Sequence, residues 1–68
     1  MPIVQIHLLE GRTQEQKREL VKRVTQAVCE TTNSPPEKVR VILSDMAHGD
    51  YAVGGVLTMD QKMDQGKK

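Results

Sequence analysis

The chain has one cysteine, no tryptophan, no phenylalanine and a single tyrosine. Each shortage removes an option. Cys29 alone closes no intrachain disulfide and fits a reducing, cytoplasmic setting. The only histidines are His7 and His48, and no CxxC or HxxxH spacing occurs, so no structural zinc is expected. Tyr51 alone cannot supply an aromatic core. Ten Lys and Arg stand against nine Asp and Glu, for a net charge of +1. The two signs interleave along the chain, which argues against a nucleic-acid partner. No basic segment runs into a long apolar stretch near the start, so no signal peptide is expected. No run approaches the ~20 apolar residues that cross a bilayer, so no membrane partner is expected either.

What remains is a soluble protein of 68 residues, read as one domain over 1–68 with a loose polar tail over 58–68. A domain of this size buries only about 60% of the surface its unfolded chain exposes. Disulfides, metals or self-assembly usually make up the deficit. With the first two excluded, assembly is expected.

The segment PIVQIHLL (2–9) alternates Val4, Ile6 and Leu8 with Gln5 and His7, as a strand does. Ile3 and Leu9 make its second face partly apolar, so it needs cover on both sides. Gly11 interrupts it. Thr13 followed by Gln16 reads as a capping box. Residues 14–32 lack Gly and Pro, and Leu20, Val24, Ala27, Val28 and Thr31 recur at helical spacing as one buried stripe. Glu15 with Arg18 and Glu19 with Arg23 are spaced for surface pairs worth ~0.2–0.5 kcal/mol each. Asn33 and Pro35-Pro36 stop the helix. KVRVILSDM (38–46) reads as a second strand on its β-branched run. Strand, helix and strand make a βαβ unit with parallel strands and a right-handed crossover. AHGDYAVGGVL (47–57) is Gly-rich and reads as a short hairpin arm. The fold class is therefore α+β. One sheet face stays open, and burying ~400 Å² of it would contribute roughly 10 kcal/mol before ordering costs. Copies of the chain are thus expected to pack sheet on sheet.

Pro2 follows the initiator methionine. Removal of Met1 leaves a free secondary amine, and α-amino groups titrate near ~7.7–8.0. Such an amine accepts protons at neutral pH, where lysines do not. Arg12 lies just past the first strand and Arg40 inside the second. Arg12 reads alternatively as a solvated loop residue, and Arg40 as a solvated strand edge. Together with the amine they suggest a pocket for a dianion, because guanidinium grips carboxylates with two prongs. Their charge and local desolvation disfavour the ammonium form of Pro2. Tyr51 offers an apolar wall, or simply caps the core. His7 reads as a packing residue, His48 as a solvated loop residue, and Cys29 as a partly buried neighbour of the stripe. Asp45 and Asp50 are lone acids without a dyad partner.

The opening PIVQIHLLEGRT-x-EQK, the strand VRVIL and the arm Y-x-VGG closely resemble the 4-oxalocrotonate (2-hydroxymuconate) tautomerases of the amino-terminal-proline superfamily. The resemblance runs from Pro2 to about Leu57. It implies a β-α-β protomer whose dimers join as a homohexamer. It implies an isomerase of aromatic hydrocarbon catabolism, acting on a small unsaturated dicarboxylate without metal or organic cofactor. Pro2 is then the general base. Arg40 binds one carboxylate and polarises the 2-oxo group, and Arg12 binds the far carboxylate. Arg12, Arg40, Tyr51 and Leu9 form the substrate-binding set, drawn from more than one subunit. Tyr51 departs from the phenylalanine usual there, and Lys62 falls where a basic residue often lies. Two rival expectations are a cofactor-free hydratase or dehalogenase, and a non-catalytic dicarboxylate-binding oligomer. The first is disfavoured because Val53 occupies the arm position where such relatives carry an acid.

Overall fold

The computed structural model describes residues 1–61. Strand β1 (Ile3–Leu9) is followed by helix α1 (Gln14–Thr32) and strand β2 (Arg40–Met46). A small hairpin of β3 (Ala52–Val53) and β4 (Val56–Leu57) completes the strands, and three-residue 3-10 turns sit at Pro36–Lys38, His48–Asp50 and Thr58–Asp60. β1 and β2 are parallel, with Ile3 opposite Arg40 and Leu9 opposite Met46. This is the expected α+β, β-α-β architecture with a short hairpin.

Local chemistry sets the element ends. Thr13 is in an extended conformation; its side chain accepts from the Gln16 backbone N–H, and the Gln16 side chain accepts from the Thr13 N–H. Such a cap contributes about 1 kcal/mol. Asn33 closes the helix in the left-handed region at φ 61°, its N–H bonded to the Cys29 carbonyl. Gly54 and Gly55 form the two-residue hairpin loop with φ 62° and 84°, and that loop demands positive φ at both positions.

Three expectations need correction. The half-buried stripe of α1 is Lys17, Leu20, Val21, Val24, Thr25, Val28 and Cys29, whereas Ala27 and Thr31 are exposed. The sheet lies to the side of Val21, so the stripe turns toward it. The second strand begins at Arg40 and not at Lys38, because Pro36 starts a 3-10 turn whose Val39 N–H bonds back to the Pro36 carbonyl. The stretch after Leu57 is not loose at its start: Thr58 begins a turn, donates its N–H to the Tyr51 carbonyl at 2.8 Å, and is buried. The rest of the expected tail, with Lys62, lies outside the described residues.

Val4, Ile6 and Leu8 of β1 and Val41 and Leu43 of β2 are half-buried beneath α1. The opposite sheet face leaves Ile3 58% and Ile42 49% exposed. Among the described residues no apolar side chain is fully buried. The radius of gyration is 15.3 Å, against roughly 11 Å for a compact chain of this length. One copy thus has a helix-covered half-core and a bare second face, a form whose missing cover another copy can supply. No helix among the described residues is long and apolar enough to cross a membrane.

Candidate active site

Parallel pairing brings the two chain segments that start β1 and β2 to one edge of the molecule. The Arg40 backbone N–H donates to the Pro2 carbonyl at 3.0 Å. Pro2 is half-buried and Arg40 exposed. The Arg40 side chain turns back to donate through Nη1 to the Glu37 carbonyl at 3.2 Å. The Pro35-Pro36 turn makes this possible by reversing the chain just before the strand. In one copy Arg40 therefore takes the edge position, and among the described residues it forms no ion pair.

Arg12 is at the other end. β1 has seven residues, and at about 3.3 Å per residue it separates Pro2 from Arg12 by roughly 20 Å or more. Arg12 donates through Nη1 to the Leu9 carbonyl at 3.2 Å. Leu9 is half-buried beside Met46. Tyr51, 41% exposed, stands at the base of the hairpin beyond β2. A single copy thus brings Pro2 to Arg40 and holds Arg12 beside Leu9 at the opposite end of β1. One site containing both groups requires a second copy.

The loop that carries Arg12 is held firmly. The Glu10 N–H donates to the Met46 carbonyl at 2.8 Å, extending the ladder one step past the strands. A Glu10 Oε2 accepts from the His48 N–H at 3.4 Å. His48 is half-buried, not solvated as expected. Lys17 Nζ meets Asp45 Oδ2 at 2.6 Å, with the lysine side chain 18% exposed. The sequence reading missed this pair. A signal for it existed: Lys17 shares the helical period of Leu20, Val21 and Val24, and Asp45 shares the alternation of Val41 and Leu43. The second ion pair among the described residues is Glu19 with Arg23 at 2.7 Å; Glu15 and Arg18 do not pair. No group of three or more His, Cys, Asp or Glu is arranged to hold a metal among the described residues.

A family model described as tautomerase enzyme matches residues 2–61. The chain belongs to the tautomerase family. Among its relatives, a probable tautomerase of Lactiplantibacillus plantarum is 53% identical over 62 residues, covering 91% of this chain and 97% of that one. A 2-hydroxymuconate tautomerase of Bacillus subtilis is 48% identical over 62 residues, covering 91% of this chain and all of that one. The structure is similar to that of a heterohexamer 4-oxalocrotonate tautomerase from Chloroflexus aurantiacus, with a TM-score of 0.84 and 31% identity over 91% of this chain and all of that one. Tautomerase-fold neighbours of this chain therefore include an assembled enzyme, consistent with the bare sheet face and the divided site.

Proposed function

We propose that this tautomerase ketonises 2-hydroxymuconate-like unsaturated dicarboxylates to 2-oxo-3-hexenedioate, with Pro2 as general base once Met1 is removed. With Met1 attached, the Pro2 nitrogen is an amide and has no useful basicity. Freed, it is an amine in the ~7.7–8.0 range, and roughly a tenth or more is neutral at pH 7. Positive charge from Arg40 and desolvation by a neighbouring copy lower that value further, toward the pH at which a base works best.

The chemistry is one proton moved. The Pro2 nitrogen takes the 2-hydroxyl proton. The O–H electrons form the carbonyl, the C2–C3 double bond shifts to C3–C4, and the C4–C5 pair takes the proton from Pro2 at C5. Delivery to C3 is the 1,3-alternative; it leaves the C4–C5 double bond in place and gives 2-oxo-4-hexenedioate. Arg40 binds the near carboxylate and stabilises charge building on the 2-oxygen. Arg12 of a neighbouring copy binds the far carboxylate and draws electron density toward it. Leu9 and Tyr51 line the apolar wall. The assembly is a homohexamer built from dimers.

The observation that carries this reading is the 3.0 Å backbone contact of Arg40 with Pro2, which sets a guanidinium-bearing residue beside the amine. The names of the relatives support the substrate class. The test is turnover of 2-hydroxymuconate by protein whose intact mass shows loss of Met1. Absence of ketonisation by that protein overturns the reading; equal activity in protein retaining Met1 removes Pro2 from it.

A further inference from the structure

We propose that Lys17 and Asp45 are positioning residues for Arg12, which sets how well the far carboxylate is held. This rests on the function proposed above, and its test separates the two. The geometry starts at the short link between β1 and α1. Gly11 adopts φ +125°, a value closed to other residues without strain, so the chain turns sharply just before Arg12. Arg12 then immediately precedes the Thr13 cap. Whatever fixes the first turn of α1 fixes the direction in which Arg12 leaves the surface.

That first turn is fixed to β2 by one ionic contact. The Lys17 backbone N–H makes the first helical bond, to the Thr13 carbonyl at 3.1 Å. Its ammonium crosses to Asp45 at 2.6 Å, from an element 28 residues away in sequence. The contact is partly shielded: the lysine side chain is 18% exposed and the aspartate 44%. Leu20, Val24 and Leu43 are half-buried apolar side chains of the facing elements, and such contacts resist separation more than sliding. An ion pair at one end resists sliding and rotation. Together with Glu10 held by Met46 and His48, it leaves the segment of residues 10–13 pinned on both sides. Among the described residues the Arg12 side chain donates its hydrogen bond to the nearby Leu9 carbonyl, so its aim depends on that frame.

The expected signature is selective. Displacement of Arg12 should hurt a substrate with a far carboxylate and spare one without it. The experiment compares 2-hydroxymuconate with the monoacid 2-hydroxypenta-2,4-dienoate, on assembled protein from which Met1 has been removed. Lys17→Met keeps the apolar stem and Asp45→Asn keeps the shape; each should lower kcat/KM for the diacid about tenfold, chiefly through KM, with the monoacid nearly unchanged. Lys17→Arg restores the pair and should restore the diacid preference. Equal losses on both acids, or no loss on either, overturn the positioning role. Should one variant fail to assemble, the other decides. Arg12→Ala is the control: if it does not itself lower the diacid-to-monoacid ratio, the role given to Arg12 falls, and with it this inference. If it does while Lys17→Met and Asp45→Asn do not, only the inference falls.

Discussion

Arg40 donates its backbone N–H to the carbonyl of Pro2 at 3.0 Å, although 37 residues lie between them. The bond is a rung of the parallel ladder, and it continues one step below the Ile3–Arg40 pair. A guanidinium and a proline ring therefore share an edge because of strand register, independent of any side-chain contact between them.

Removing the amine's ring should be costly without disturbing the architecture. Pro2→Ala leaves a primary, freely rotating amine in place of the fixed ring nitrogen and is expected to slow 2-hydroxymuconate ketonisation about 10²-fold, as misplacement of a reacting group does. Sedimentation should show the same assembly as the parent. Unchanged turnover is the outcome that contradicts the assignment.

The separation of Pro2 from Arg12 along β1 predicts rescue between damaged copies. Arg12→Ala and Pro2→Ala proteins should each be poorly active. Refolded together in equal amounts, they should form mixed oligomers in which roughly a quarter of sites hold both natural residues, by random pairing in a symmetric assembly. Activity of the mixture should then exceed that of either alone. No gain on mixing would place both residues in sites made by one copy.

Tyr51→Phe should be mild. The Tyr51 contact given by the structure is made by its backbone carbonyl, which accepts from Thr58 and does not involve the phenol. The change in kcat/KM is expected to correspond to less than about 1 kcal/mol, the usual net value of one hydrogen bond. A larger loss would show that the hydroxyl touches substrate.

The bare sheet face should carry assembly. Ile42 is 49% exposed in one copy, and covering the exposed half of an isoleucine side chain is worth about 1 kcal/mol per copy. Ile42→Asp adds a charge that a covered face cannot hydrate. Sedimentation should show smaller species, and activity should fall with them. An intact, active oligomer would mean that this face is not the contact.

The Glu19 carboxyl gives a titration test. The hydrogen bond from Arg23, and then its charge, hold Glu19 below its ordinary value of 4.5. A depressed folded-state value means that the pair stabilises fully above the unfolded value and that this is lost as pH falls through the lower one. Both side chains are well exposed, so the effect on stability is slight. Carbon NMR should find the Glu19 midpoint below 4.5 and moving up toward it in Arg23→Ala. A midpoint unmoved by that change would break the pairing argument.

Much of this fold is legible in the sequence where a single residue fixes a local outcome. Thr13 with Gln16 and Asn33 bound the helix at the expected ends, because caps act over three or four residues. The hairpin follows from two adjacent glycines. Less legible is what depends on a partner element. The stripe of α1 turned toward Val21 and Lys17, since only the placed sheet decides which side of the helix it covers. Arg40 fell at the strand start because the proline turn consumed the residues before it. The neighbourhood of Pro2 and Arg40, and the distance of both from Arg12, come from parallel register, which no spacing along the chain reveals. Lys17 and Asp45 each obey the apolar pattern of their own element, but their charge argued for solvent until the two faces met.

A polypeptide whose described residues enclose no apolar side chain would, on assembling, make its own durability a matter of dosage. In a chain that self-associates, every molecule that finds a partner gains what an isolated one lacks, so abundance enters the folding equilibrium directly. A cell that makes few copies would hold a larger share of them in an unprotected form, open to proteases, and a modest rise in expression would return more than its proportional share of intact protein.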